Sequence, residues 1–379
     1  MQKKKVYAVS TAHLDTVWRW DLRKTIEEYL PDTLRKNFDL IERYPDYCFN
    51  FEGAFRYQLI EEYYPLAFAE IQNLVKRGNW YPAGACYENG DVNIPSPEAL
   101  FRNILLGNRY FQEKFGVQSK DIFLPDCFGF GQALPSVMKY AGLLGFTTQK
   151  LSWGSAYGVP FTLGYWQGVD GSRVLACPNA RSYRSKFSGD LRGEVSVIDD
   201  VAKNAFEGGL PYAQHLYGGA PTEESVQSVC ASAAENGQKD FDVISARSDQ
   251  IFKDIDALPD GDKDRLPVWN NELLMTSHGA GGYTARAMGK RLNRQCDGRC
   301  GREPPLHCGA AGGLYLPAGN GDKGLGATDP APIPRRSARH LQYGHLQHRV
   351  ERLPHLAGTA ARRIHRSSGC HCQPTGYPM

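Results

Sequence analysis

The chain has 379 residues, of which 41% are hydrophobic and 11% aromatic, with a formal net charge of +3. That length suits one large domain plus part of another, and no run approaches the roughly 20 apolar residues of a membrane-spanning helix. Residues 296–379 hold 11 Lys/Arg against 5 Asp/Glu, so the first 295 sum to −3, and nothing in them suggests a nucleic-acid or membrane partner.

The start, MQKKKVYAVSTAHLD, has a short apolar run and no small-residue cleavage site, which makes a cytoplasmic location the default. KKVYAVS reads as a buried strand. The spacing of Leu30, Leu34, Phe38 and Ile41 predicts a helix with one apolar face. CFNFEG reads as a second strand and the stretch from Pro65 to Val75 as a second helix. Ser96 and Pro97 form an N-cap and first-turn proline, opening a helix that runs to Phe111. DIFLPDCFGF reads as a strand ending in a loop, followed by a helix from Leu134 to Ala141. TTQKLSWG, a hairpin-like YWQGVDGSRVLAC, a helical TEESVQSVCASAAENG and a strand-like DFDVISA continue the alternation. Strand then helix, repeated, points to an α/β fold with parallel strands and active groups at their carboxyl ends.

The chain changes character near residue 295. All 23 Phe and Trp lie before position 296, and the remainder holds 7 of the 10 His and 5 of the 10 Cys without periodicity or a paired-ligand spacing. LGATDPAPIPRRSARHLQYG, residues 325–344, can be encoded by codons that, read one base later, give WVRLIQHQFHDDLPGTSNMG. Residues 296–379 therefore read as an out-of-frame, non-native tail, with a disordered basic tail and a Cys/His metal site as the other readings.

Four residues carry candidate chemistry. His13 and Asp15 in HLDTVW sit two positions apart after the first strand, so an extended backbone points both side chains one way. Asp126 in LPDCFGFG ends a strand before a glycine turn, where it is either a pocket carboxylate or a capping residue. His278 lies in the Gly-rich MTSHGAGGYTAR, as a ligand or an exposed loop histidine. Two imidazoles and two carboxylates suit zinc with one or two positions left for substrate. Two carboxylates also bring a divalent ion close to neutrality, as an oxocarbenium-like transition state requires.

In order and spacing, HLDTVWRW, PDCFGFGQALPSVMKYAGLLGF, TQKLSWG and HGAGGYTARAMGKRLNR resemble glycoside hydrolase family 38 α-mannosidases over about residues 5–295. The resemblance implies a seven-stranded β/α barrel-like catalytic domain over 1–258, with 259–295 starting a truncated helical domain. It implies Zn2+ held by His13, Asp15, Asp126 and His278. Asp126 would be the nucleophile of a retaining hydrolase acting on terminal α-mannosidic bonds of mannose-containing oligosaccharides. Trp18 matches an aromatic that stacks on the sugar, or else packs in the core, and Lys150 matches a basic residue near it.

Two departures stand out. A retaining glycosidase needs a second carboxyl about 5 Å from the first, and relatives supply it from a Gly-Asp turn between a YG pair and a GAPT segment. Here HLYGGAPTEES lacks about five residues at that place, so the acid/base role has no residue, and Phe130 stands where relatives often have histidine. A zinc-dependent carbohydrate deacetylase and a non-catalytic sugar-binding fragment are the competing readings. PDCFG followed by HGAGGYT favours the mannosidase. Oligomeric state is left open.

Overall fold

The computed structural model describes residues 3–154, 158–179, 185–206, 209–218 and 221–274. The chain divides into two units, Met1–Ala287 and Met288–Met379, and every described residue lies in the first.

Strand β1 (Lys4–Thr11) is buried on both faces from Val6 onward, the pattern of a strand covered on each side. Asp21 caps the short α1 (Leu22–Lys24), which continues through a π-helical turn (Thr25–Tyr29) into α2 (Leu30–Arg43). Of the predicted apolar face, Leu30, Leu34 and Ile41 are buried, and Phe38 packs its ring 5.8 Å from Trp80. Strand β2 (Phe49–Glu52) leads through α3 (Ala54–Tyr63) and α4 (Pro65–Arg77) to β3 (Trp80–Ala83). Helix α5 (Pro97–Phe115) begins as its sequence predicts, with Ser96 Oγ accepting from Ala99 N at 3.2 Å, and runs one turn beyond the predicted end. Next come β4 (Asp121–Phe123), α6 (Ala133–Tyr140) and β5 (Gly145–Thr148). Strands β6 (Gly164–Gln167) and β7 (Arg173–Pro178) form the expected antiparallel hairpin. The described chain closes with α7 (Val195–Ala205), β8 (Tyr212–Gly218), α8 (Glu223–Ala234), β9 (Phe241–Ser245), α9 (Gln250–Asp256), α10 (Asp260–Lys263) and β10 (Val268–Trp269).

The strands form two five-stranded sheets. One is all parallel: β8 runs along β1 from Lys5 to Thr11, β9 and β2 divide the other edge of β1, and β3 follows β2. The second has the order β10-β6-β7-β5-β4 and is parallel except for the hairpin. The α/β class with parallel sheets therefore stands. Of the seven-stranded barrel-like arrangement implied by the resemblance, the parallel strands are present, but among the described residues there is no closed barrel, because no strand ladder joins β3 to β4 or β7 to β8. At the first gap a single backbone bond, Ala85 N to Asp121 O at 2.8 Å, bridges the sheets just past the end of β3.

A core shared by both sheets holds them together. Tyr7, Val9, Phe123, Leu175 and Leu216 pack with Ile251, Phe252 and Ile255 of α9, which covers the amino ends of the strands. Gly145 makes this fit possible, since a Cβ there would lie 2.1 Å from the Phe252 ring. A second cluster, including Leu134, Met138, Phe146 and Trp166, fills the space beneath α5 and α6.

Candidate active site

His13 and Asp15 lie just past the end of β1, Asp126 just past β4 and Lys150 just past β5, all at the carboxyl ends of parallel strands where loops converge. His13 Nε2 is 3.4 Å from Asp15 Oδ1 and 3.8 Å from Asp126 Oδ2. Ligand atoms of the three residues all fall within 4.8 Å of one another. Zinc bonds its nitrogen and oxygen ligands at about 2.0–2.2 Å, which puts neighbouring ligands in a tetrahedral site roughly 3.3–3.5 Å apart. The donor types and separations fit a zinc ion with only small inward movement.

The ring of His13 is held from behind. Its Nδ1 contacts the carboxylate of Glu52, the last residue of β2, which is fully buried. A carboxylate on one ring nitrogen fixes the imidazole and turns the other toward a metal. Burial opposes charge on His13, yet the Glu52 carboxylate and the hydrogen bonds to Asp15 and Glu52 outweigh it and push the imidazole up to about 10. Burial also opposes charge on Asp15, but the hydrogen bond from His13 and its charge hold that carboxyl below its ordinary value.

Asp126 divides its oxygens: Oδ2 faces His13, while Oδ1 takes the ammonium of Lys150. Lys150 is almost fully buried, and its Nζ lies 4.8 Å from the centre of the Phe128 ring. The loop that carries Asp126 is pinned on both sides. Asn93 bonds Gly129 O and Gly131 N, each at 2.7 Å, and Phe130 exchanges two backbone bonds with Leu273. Phe130 is itself buried and serves as core here.

The structure thus brings together His13, Asp15, Asp126 and Lys150. Trp18 does not pack in the core: it is 61% exposed, with the Arg19 guanidinium 4.4 Å from its ring and Trp20 edge-on at 5.6 Å. His278 lies outside the described residues. Sequence reasoning passed over the buried Glu52 and Arg56 and the half-buried Glu88, close behind the site. For Glu52 and Arg56 the signal was charged residues set within the apolar run FEGAFRY.

His13, Asp15 and Asp126 thus converge at the carboxyl ends of strands in a two-sheet α/β fold. The model of the glycosyl hydrolases family 38 N-terminal domain matches residues 3–245, and the chain belongs to that family. It is 31% identical over 299 residues to alpha-mannosidase 2C1 of Homo sapiens, a match covering 77% of this chain and 27% of that protein. It is 31% identical over 297 residues to alpha-mannosidase G of Dictyostelium discoideum, covering 77% and 26%. The chain therefore spans about a quarter of the length of these relatives. In fold it is similar to an alpha-mannosidase from Enterococcus faecalis V583, with TM-score 0.57, 17% identity, and coverage of 98% of this chain and 44% of that one. No helix among the described residues is long and apolar enough to cross a membrane.

Proposed function

We propose that the chain carries the catalytic site of a zinc-dependent retaining α-mannosidase that cleaves terminal mannose from glycans. The observation that carries this reading is the convergence of His13 Nε2, Asp15 and Asp126 at separations that fit one metal ion. His278 is the proposed fourth ligand. The Phe130–Leu273 bridge supports it, because it ties the nucleophile loop to a point five residues before His278. Zinc, when bound, supplies an anchor for the cis 2- and 3-hydroxyls that distinguish mannose.

Asp126 is the proposed nucleophile: its carboxylate attacks the anomeric carbon as the bond to the aglycone oxygen breaks, the leaving oxygen takes a proton from water, and water then hydrolyses the covalent glycosyl-enzyme with overall retention. The Lys150 ammonium fixes the orientation of its carboxylate. Trp18, exposed beside Arg19, offers a face for the sugar ring. We further place the chain in the cytoplasm, a reading supported by the free cysteines among the described residues, Cys48, Cys86, Cys127, Cys177 and Cys230. The domain limits at 258 and 295 and the out-of-frame reading of 296–379 stand as proposals that resequencing across codon 295 tests.

The direct experiment incubates the zinc-loaded full chain with an aryl α-mannoside and follows the anomer released by NMR. Release of α-mannose, abolished in Asp126→Asn, is the expected result; a β product overturns the retaining mechanism. The absent Gly-Asp turn in HLYGGAPTEES favours a second reading, a mannose-binding chain without turnover. Tight mannose binding with no product from any mannoside would establish it.

A further inference from the structure

Asp15 sits in a loop and takes no support from a helix or strand of its own. The residues on either side of it are held instead, and both by one ion pair. Arg56, in the first turn of α3, is 1% exposed; its Nε donates to the carbonyl oxygen of Leu14 at 2.6 Å, and its Nη1 meets Glu88 Oε1 at 2.9 Å. The other oxygen of Glu88 accepts the Thr16 hydroxyl at 2.7 Å. The backbone of Glu88 is in turn clamped to Asn103 of α5, its N–H bonding Asn103 Oδ1 at 3.0 Å and its carbonyl accepting from Asn103 Nδ2 at 2.9 Å.

The segment Glu52-Gly53-Ala54-Phe55-Arg56 serves both ligands of the loop at once. Glu52 holds the ring of His13, and four residues on Arg56 holds Leu14. Gly53 makes room for this: its φ is +82°, and a Cβ there would lie 2.0 Å from Arg56 Nη1. A buried guanidinium paired with a half-buried carboxylate is an expensive way to stabilise a fold, since apolar residues of similar volume often do as well or better. Their geometry fits a different task.

We propose that Arg56 and Glu88 are positioning residues that set Asp15 against His13, so that affinity for a zinc ion depends on this pair and on the Thr16 hydroxyl it grips. The inference rests on the metal-site reading above. The pair touches neither substrate nor metal; it acts through the backbone at Leu14 and the side chain of Thr16.

The test uses the full chain and zinc alone, with affinity measured by competition against a chromophoric chelator in variants whose circular dichroism shows a folded protein. Thr16→Val keeps the side-chain shape and removes the hydroxyl; it is expected to weaken zinc binding about 10-fold or more, within the range for loss of an outer-shell partner. Thr16→Ser restores the hydroxyl and is expected to bind within about twofold of the parent. Glu88→Gln is the second variant, expected to weaken binding like Thr16→Val. In the cobalt-substituted protein the visible spectrum of Thr16→Val is expected to change, because Asp15 drifts from its place; a merely structural role would leave it unaltered. Parent-like zinc affinity in a folded Thr16→Val or Glu88→Gln protein overturns the inference alone. Failure of the parent chain to bind zinc overturns the metal-site reading and the inference with it.

Discussion

Replacing Asp121 by asparagine removes a buried titration at the amino end of β4. Asp121 is fully buried, with Oδ1 accepting the Ser119 hydroxyl at 2.5 Å. Asp249, equally buried, lies close by, bonded to Tyr81 Oη at 2.7 Å, Lys120 N at 3.1 Å and Lys253 Nζ at 2.5 Å. Burial, and then the negative charge of Asp249, push the Asp121 carboxyl from 3.8 up to about 7. The folded chain thus holds a proton over a range in which the unfolded chain has released it. This contribution to stability is complete below about pH 4 and is lost as pH rises toward about 7. At about 1.4 kcal/mol per pKa unit, a rise of about three units sets a ceiling of about 4 kcal/mol. Asparagine does not titrate, so Asp121→Asn should gain on the parent steadily between pH 4.5 and 8. Urea unfolding across that range, followed by tryptophan fluorescence, measures the difference. Parallel stability curves for the two proteins would refute the reasoning.

Glu52→Gln is expected to weaken zinc binding about 10–100-fold, because a flipped amide presents a donor to His13 Nδ1 and favours the tautomer that blocks Nε2; chelator competition reads it directly. With no Gly-Asp turn in HLYGGAPTEES, an aryl α-mannoside should be cleaved about 10²–10⁴-fold faster than mannobiose, and equal rates would reveal an acid group elsewhere. Phe252→Ala should cost about 3–5 kcal/mol in urea unfolding, since the ring is fully buried between α9 and Gly145. A loss under 1 kcal/mol would mean that α9 does not seal the core.

Elements with a strong local signal were legible. Ser96 and Pro97 mark the start of α5, and the apolar run of β1 marks a covered parallel strand. Strand β8 was not: Gln214 and His215 interrupt its apolar pattern, and both are buried because they bond across the core or toward α7, which no local rule anticipates. The division into two sheets depends on which edges meet, a long-range matter. At the site, His13, Asp15 and Asp126 could be picked out because each ends or follows a strand. Glu52, Arg56 and Glu88 could not, because a buried charge is recognised by its partner, and Glu52 meets His13 across 39 positions.

The pairing of β1 also bears on how the chain is made. Val6, Tyr7, Ala8 and Val9 are wholly buried, yet the strand that runs along them starts at Tyr212, paired with Lys5, about 200 residues later. At about 5–20 residues per second, a ribosome takes roughly 10–40 s to supply that partner. Throughout this interval β1 waits with a bare edge, and its opposite edge from Lys4 to Ala8 stays bare until β9 follows. Nascent β1 is thus a segment that calls for chaperone shelter until β8 and then β9 dock.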